Sequence, residues 1–203
     1  MHIRYAHWVL RTVAWALMLA LLLHLGKAVA ADLPYRSCFE GAGAKYQIDV
    51  DLLQAIGWHE SRYKQDARNT ANVTDSEDMG VMQINSWWLP KLETYGITRE
   101  LLFADACVNI YVGAWILAQE IQRHGDLWTA VGYYNAKTES KRLAYTEYVK
   151  AALAEVQSGA AGKRYAAAQA RAPGIKPKYL EVVESSNPST RASAPPRILV
   201  VGG

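Results

Sequence analysis

Residues 105–125, DACVNIYVGAWILAQEIQRHG, decide the class of fold. Asp105 has the side chain that caps a helix start, since its carboxylate can accept from a free amide of the first turn. The pattern then runs to about His124, and Gly125 stops it in the way a glycine ends a helix. The neighbouring chain reads the same way. A first helix is predicted from Tyr35 to Tyr46. Asp49 caps a second, from Asp51 to about Tyr63, with Leu52, Leu53 and Ile56 apolar at helical spacing. Lys64 to Asp78 has no apolar period and reads as a polar loop. A helical pattern resumes unevenly from Met82 to Tyr95, Gly96 stops it, and Thr98 can cap the next turn. Asp126 caps a helix from Leu127 to about Tyr134, and a last one covers Leu143 to Gln157, ended by Gly159. No strand pattern of useful length is present. The expected fold is mainly α, one domain around a single core.

The 203 residues are 51% hydrophobic and 20% charged, which excludes a wholly disordered, collagen-like or polytopic membrane chain. The formal net charge of +3 is unevenly spread. Residues 31–158 carry 12 basic against 17 acidic side chains, whereas 159–203 carry seven against two. So acidic a body lacks the basic face of a duplex DNA binder. Residues 1–30 read as a secretory signal: Arg4 and Arg11, an apolar run from Thr12 to Leu25, then Ala28-Val29-Ala30 as a cleavage site. The alternative is an uncleaved inner-membrane anchor, although the run is short for a span of about 20 residues. Residues 159–203, rich in Ala, Gly, Pro, Ser and basic side chains, read as a flexible tail.

Cys38 and Cys107 lie in the exported part. Two cysteines in an oxidising compartment are most simply one disulfide; two buried thiols are the alternative. A bridge would close a loop of about 70 residues and contribute roughly 4 kcal/mol. No spacing suggests a zinc site, and no metal or cofactor is expected.

The candidate centre of chemistry is Glu60, at the end of an apolar helix after Trp58 and His59. A carboxyl in a partly dry cleft beside an indole is pushed toward its protonated form, as a general acid at neutral pH requires. On position alone, an exposed glutamate at a helix end is the better reading. His59 projects about 100° away from Glu60 and reads as structural. Asp75, Glu77 and Asp78 could include a second carboxylate, but their polar loop reads as solvated. Trp87 and Trp88 could stack on sugar rings or belong to the core. There is no His-Glu-x-x-His motif, and Ser61 has no serine-hydrolase context.

Three elements then combine: Glu60-Ser61, Gly80-Val81-Met82-Gln83-Ile84-Asn85, and Tyr134-Asn135, with Tyr148-Val149 closing. In this order the chain resembles the catalytic domain of the soluble lytic transglycosylases, relatives of goose-type lysozyme, over about residues 35–157. Cys38, Ser86-Trp87-Trp88-Leu89-Pro90 and Cys107-Val108-Asn109-Ile110 resemble the small members that accompany conjugation and type III and type IV secretion machines. The resemblance implies a lysozyme-like helical domain over 31–158 and supports the Cys38–Cys107 bridge. It implies Glu60 as the single catalytic acid and base, and Ser61 as holding the substrate acetamido group or the glutamate. Met82 and Gln83 would line the cleft, Gly80 would leave room for the sugar, Tyr134 would orient the reacting region, and Asn135 would buttress it. A glutamate that many members carry four residues before the closing Tyr-Val pair is Ala144 here, which puts in doubt a peptide contact from that side.

The implied reaction is cleavage of peptidoglycan between MurNAc and GlcNAc, leaving 1,6-anhydro ends, by a periplasmic monomer that opens the wall for a secretion or conjugation apparatus. No obligate nucleic-acid partner is expected. The alternatives are a lysozyme-like hydrolase on the same fold and a non-catalytic glycan-binding assembly factor.

Overall fold

The computed structural model describes residues 33–72 and 75–171. The expected signal at 1–30 and the segment from 172 onward lie outside the described residues.

The helices are α1 (Arg36–Tyr46), α2 (Val50–Ser61), α3 (Leu89–Glu93), α4 (Arg99–Ala104), α5 (Ala106–His124), α6 (Leu127–Asn135), α7 (Glu139–Gln157) and α8 (Ala160–Arg171). Of these, α1, α2, α5 and α6 match the expected spans to within two residues, α4 follows the expected Thr98 cap, α7 starts four residues before the expected Leu143, and α8 has no counterpart among the expected helices. The cap residues explain where they start. Asp49 Oδ1 accepts from the Leu52 amide at 3.0 Å, Thr98 Oγ1 from Leu101 at 3.3 Å, Asp105 Oδ1 from Val108 at 3.1 Å and Asp126 Oδ2 from Thr129 at 2.7 Å. Each such cap is worth about 1 kcal/mol. Gly125 ends α5 at φ 72°, its amide bonded to the Ile121 carbonyl.

α5 is the buried axis of the fold, with Val108, Ile110, Val112, Ala114, Trp115 and Leu117 fully enclosed. α1 packs on α5, α5 on α6, α6 on α7, α7 on α2, and α2 returns to α1. The helices therefore close around one core, with α2 and α7 sharing a long contact. Cys38 of α1 and Cys107 of α5 form a disulfide across this ring, with Cα atoms 5.1 Å apart. Among the described residues no helix is long and apolar enough to cross a membrane.

Three local expectations are corrected. The stretch from Met82 to Tyr95 is not one helix. It is a turn, a strand, a 3-10 turn (Ser86–Trp88) and the short α3. Gly80 and Gln83 both take left-handed conformations (φ 70° and 47°), which no continuous helix passes through. Second, the polar loop contains strands. β1 (Arg68–Asn69), β2 (Asp78–Met79) and β3 (Ile84–Asn85) form an antiparallel sheet in that order, pairing Asn69 with Asp78 and Asp78 with Asn85. Two-residue strands are too short to show a period.

Third, the chain from 159 is not flexible throughout, because α8 occupies 160–171. Ala161 is fully buried, the Tyr165 ring meets Tyr63 edge-on at 5.9 Å, and Arg164 pairs with Glu155 at 2.8 Å.

Candidate active site

Glu60 sits in the last turn of α2. That helix stops because Arg62 and Tyr63 both adopt left-handed backbone, at φ 57° and 61°. The reversal is anchored by Tyr63, whose hydroxyl donates to the Gln54 carbonyl at 3.0 Å. Glu60 is thereby left at the lip of a cleft of about 400 Å³. The sheet segment supplies Asn72, Ser76, Asp78, Gln83, Ile84 and Asn85 to its wall. Trp88, Ile116 of α5, the end of α6 (Tyr134, Asn135, Ala136) and Lys141 of α7 complete it.

Tyr145, buried in α7, reaches across and donates its hydroxyl to Glu60 Oε1 at 2.5 Å. Tyr134 lies beside it, the two rings 6.4 Å apart and nearly parallel. Its hydroxyl donates to the Met82 carbonyl at 2.8 Å. Burial and the nearby Glu60 charge hold both phenols well above their ordinary pKa. Glu60 itself is raised from 4.5 to about 7, chiefly by burial. The Tyr145 hydrogen bond opposes that rise, and the charge of Asp78 adds to it. A carboxyl so placed carries a proton near neutrality and can give it up and take it back.

The expected dry neighbour is different from the one read in the sequence. The Trp58 indole donates to Glu155 Oε2 at 2.8 Å and stacks under Arg62. Neither residue lines the cleft; the phenols of Tyr134 and Tyr145 take the role expected of Trp58. His59 packs edge-on against Tyr145 and flat against Tyr148.

The acidic run divides. Glu77 is bound by Arg99, with Nη2 at 2.9 Å, and by Arg68 at 2.5 Å. Asp78, one residue on and the first of β2, lines the cleft instead of being solvated in a loop. Its Oδ2 accepts from Asn69 at 2.9 Å and Asn72 at 3.0 Å, and its Oδ1 from Asn85 at 2.7 Å.

Of the residues expected to bind substrate, Gln83, Tyr134 and Asn135 line the cleft, whereas Ser61, Gly80 and Met82 do not. The Ser61 hydroxyl donates to the Val81 carbonyl at 2.8 Å, tying α2 to the turn. Met82 is wholly enclosed and serves through its backbone. Gly80 leaves room for Asn109 and not for a sugar: a Cβ there would lie 2.3 Å from Asn109 Nδ2. Asn109, fully buried, donates to the carbonyls of Met79 (2.9 Å) and Leu102 (3.1 Å) and accepts from the Met82 amide (2.8 Å). It fixes the turn that presents Gln83, whose own side chain donates to Gly80 and Ala67 carbonyls.

Sequence reasoning did not assign Tyr145, Asn72, Asn85, Asn109 or Lys141 to the site. Tyr145 stands three residues before the motif tyrosine Tyr148 and Asn109 follows Cys107, so both were within reach of the motifs. Among the described residues no group of three or more His, Cys, Asp or Glu side chains is placed to hold a metal.

Comparison with known proteins identifies the family. Residues 37–156 match the family model described as the transglycosylase SLT domain. The chain is similar to an "X polypeptide" of Escherichia coli, at 44% identity over 141 residues, covering 66% of this chain and 80% of that protein. It is also similar to Protein IpgF of Shigella flexneri, at 35% identity over 135 residues (64% and 83%). Invasion protein IagB of Salmonella typhimurium (strain SL1344) is 39% identical over 108 residues (53% and 67%).

Proposed function

The chain belongs to the transglycosylase SLT domain family and is a peptidoglycan lytic transglycosylase; from that premise we propose that Glu60 is both the acid and the base of its reaction. Glu60 protonates the glycosidic oxygen between MurNAc and GlcNAc, and that bond breaks. The substrate's own N-acetyl oxygen supports the electron-poor anomeric carbon. Glu60, now a carboxylate, takes the proton of the MurNAc 6-hydroxyl, whose oxygen closes on the anomeric carbon to give the 1,6-anhydro end. The proton count balances and no water is consumed.

The observation that carries this reading is the carboxyl of Glu60, raised to about 7 by burial and held by Tyr145 at 2.5 Å. Gln83, Tyr134 and Asn135 line the same cleft, which supports reading them as the groups that meet the sugars. Export to the periplasm, suggested by the signal-like residues 1–30, would bring the enzyme to its substrate. The likeness to a protein named for invasion, with the resemblance to the secretion- and conjugation-associated group, supports local opening of the wall for such a machine.

Asp78 favours a second reading. Two carboxylates across one cleft are the equipment of a hydrolase. Against it, both Asp78 oxygens are already engaged by asparagine amides, which suits a fixed charge better than a base that must bind water. Digestion of purified sacculi, with mass spectrometry of the products, separates the two. Anhydro-muropeptides support elimination and reducing ends support hydrolysis. Glu60→Gln should abolish both; a variant that still lyses the wall would remove Glu60 from the mechanism.

A further inference from the structure

Trp87 is 71% exposed, the most exposed of the large hydrophobic side chains among the described residues. An indole left in water forgoes the burial that such a side chain normally gains. It is nevertheless held in place. Trp87 is the middle residue of the 3-10 turn (Ser86–Trp88) directly after β3, and its amide donates to Asn85 Oδ1 at 3.0 Å. The same Asn85 side chain donates to Asp78 and Ser76, both in the cleft wall. The next residue, Trp88, lines the cleft, and its ring meets Trp87 edge-on with centroids 4.9 Å apart. Behind it Trp88 rests on the fully buried Trp115. An exposed flat aromatic face thus stands on a rigid support continuous with the cleft.

A cleft of about 400 Å³ takes a ligand on the order of a disaccharide. A glycan strand is longer, so its sugars must run out of the cleft over the surface beside it. The faces of hexopyranose rings present C–H groups and pack on indoles, with hydroxyls left at the rim for water. We propose that Trp87 is a stacking platform for a sugar ring of the strand outside the cleft, adding one point of grip on a polymer. This rests on the glycan-cleaving function proposed above and names where the strand goes when it leaves the site.

The test uses the full mature chain carrying Glu60→Gln, so that bound glycan stays whole. Affinity is measured by calorimetry for peptidoglycan disaccharide, tetrasaccharide and hexasaccharide. Affinity should rise with length in this parent. Adding Trp87→Ala should remove about tenfold of that gain at the longer lengths, while Trp87→Phe, which keeps a flat ring, should retain most of it. Unchanged length dependence in Trp87→Ala overturns the proposal and leaves the glycan function standing. An equal loss at every length, the disaccharide included, also overturns it, because Trp87 would then belong to the cleft itself. Failure of the parent to bind any of the three overturns the functional reading together with the platform. The Trp87 ring contributes an edge contact to Trp88 and little burial, so the fold is not at stake, and Trp87→Phe controls for that contact.

Discussion

Replacing Glu60 by glutamine should make the protein more stable, by an amount that grows with pH. The unfolded carboxyl gives up its proton near 4.5, whereas the folded one keeps it to about 7. Between those values the folded state binds more protons than the unfolded state, so stability falls as pH rises. The destabilisation is absent below about pH 4 and complete above about pH 8. A shift from 4.5 to about 7 corresponds to about 3 kcal/mol. Glutamine keeps the volume, has no charge to desolvate, and can accept the Tyr145 hydrogen bond through its amide oxygen. The two proteins should therefore unfold alike in acid, while at about pH 8 the variant should be more stable by up to about 3 kcal/mol. Urea titrations at a series of pH values, with the slope m unchanged between the proteins, measure this difference. A difference independent of pH, or a variant less stable at about pH 8, would refute the claim that burial holds the Glu60 proton. The result bears on function, because the same titration should set the alkaline limb of kcat/KM near neutrality.

Two substitutions should move that alkaline limb in opposite directions. Tyr145→Phe removes a hydrogen bond that favours the carboxylate and should raise it by about one unit; Asp78→Asn removes a negative neighbour and should lower it. Movement of both limbs the same way would contradict the causes assigned to Glu60. Gly80→Ala places a Cβ 2.3 Å from Asn109 Nδ2 at a φ of 70° and should cost about 3 kcal/mol in chemical denaturation; a cost below about 1 kcal/mol would mean that Asn109 can move. Truncation after Ser158 should cost roughly 2–4 kcal/mol relative to truncation after Arg171, through lost packing of Ala161 and Tyr165 and the lost Arg164–Glu155 pair. Equal stability of the two truncations would return 160–171 to the status of a passive tail.

What could be read in advance was what the chain decides locally. Asp49, Thr98, Asp105 and Asp126 announce helix starts because a cap bonds an amide three residues away. Glu60 is marked in the sequence by its place at a helix end and by the motif around it. Its partner Tyr145 lies 85 residues further along, and no local pattern connects them. Asp78 was visible as an acid but not as a cleft residue, because its direction depends on a two-residue strand whose register is set by Asn69 and Asn85. The helix α8 shares alanine, glycine and basic residues with the chain beyond it, so composition merged the two. Contacts of Tyr165 with Tyr63 and Arg164 with Glu155 decide its state, and both are tertiary. Gly80 shows the limit of a motif: its lack of a side chain is legible, but the group that needs the space, Asn109, stands on α5, 29 residues further along.

Asn109 also explains how a buried polar group can govern a dry site. Its amide meets three backbone partners inside the core, so it is satisfied at 0% exposure. Partnered in this way it avoids the desolvation penalty of an orphaned amide and holds the turn in one geometry. The turn then fixes the Met82 carbonyl, which accepts from Tyr134. Tyr134 lies against Tyr145, and Tyr145 holds Glu60. In the same cleft three asparagines hold Asp78 so that its charge stays put. Both influences on the Glu60 proton besides burial are thus set by groups that cannot readily reorient. In the proposed mechanism that matters twice. The carboxyl must keep its proton until the glycosidic oxygen arrives, and it must be the base in the same geometry a moment later. A side chain free to turn into water would lose the first property through solvation and the second through distance. The scaffold of α2, α5, α6 and α7 supplies both by placing the Tyr134 and Tyr145 phenols beside the carboxyl.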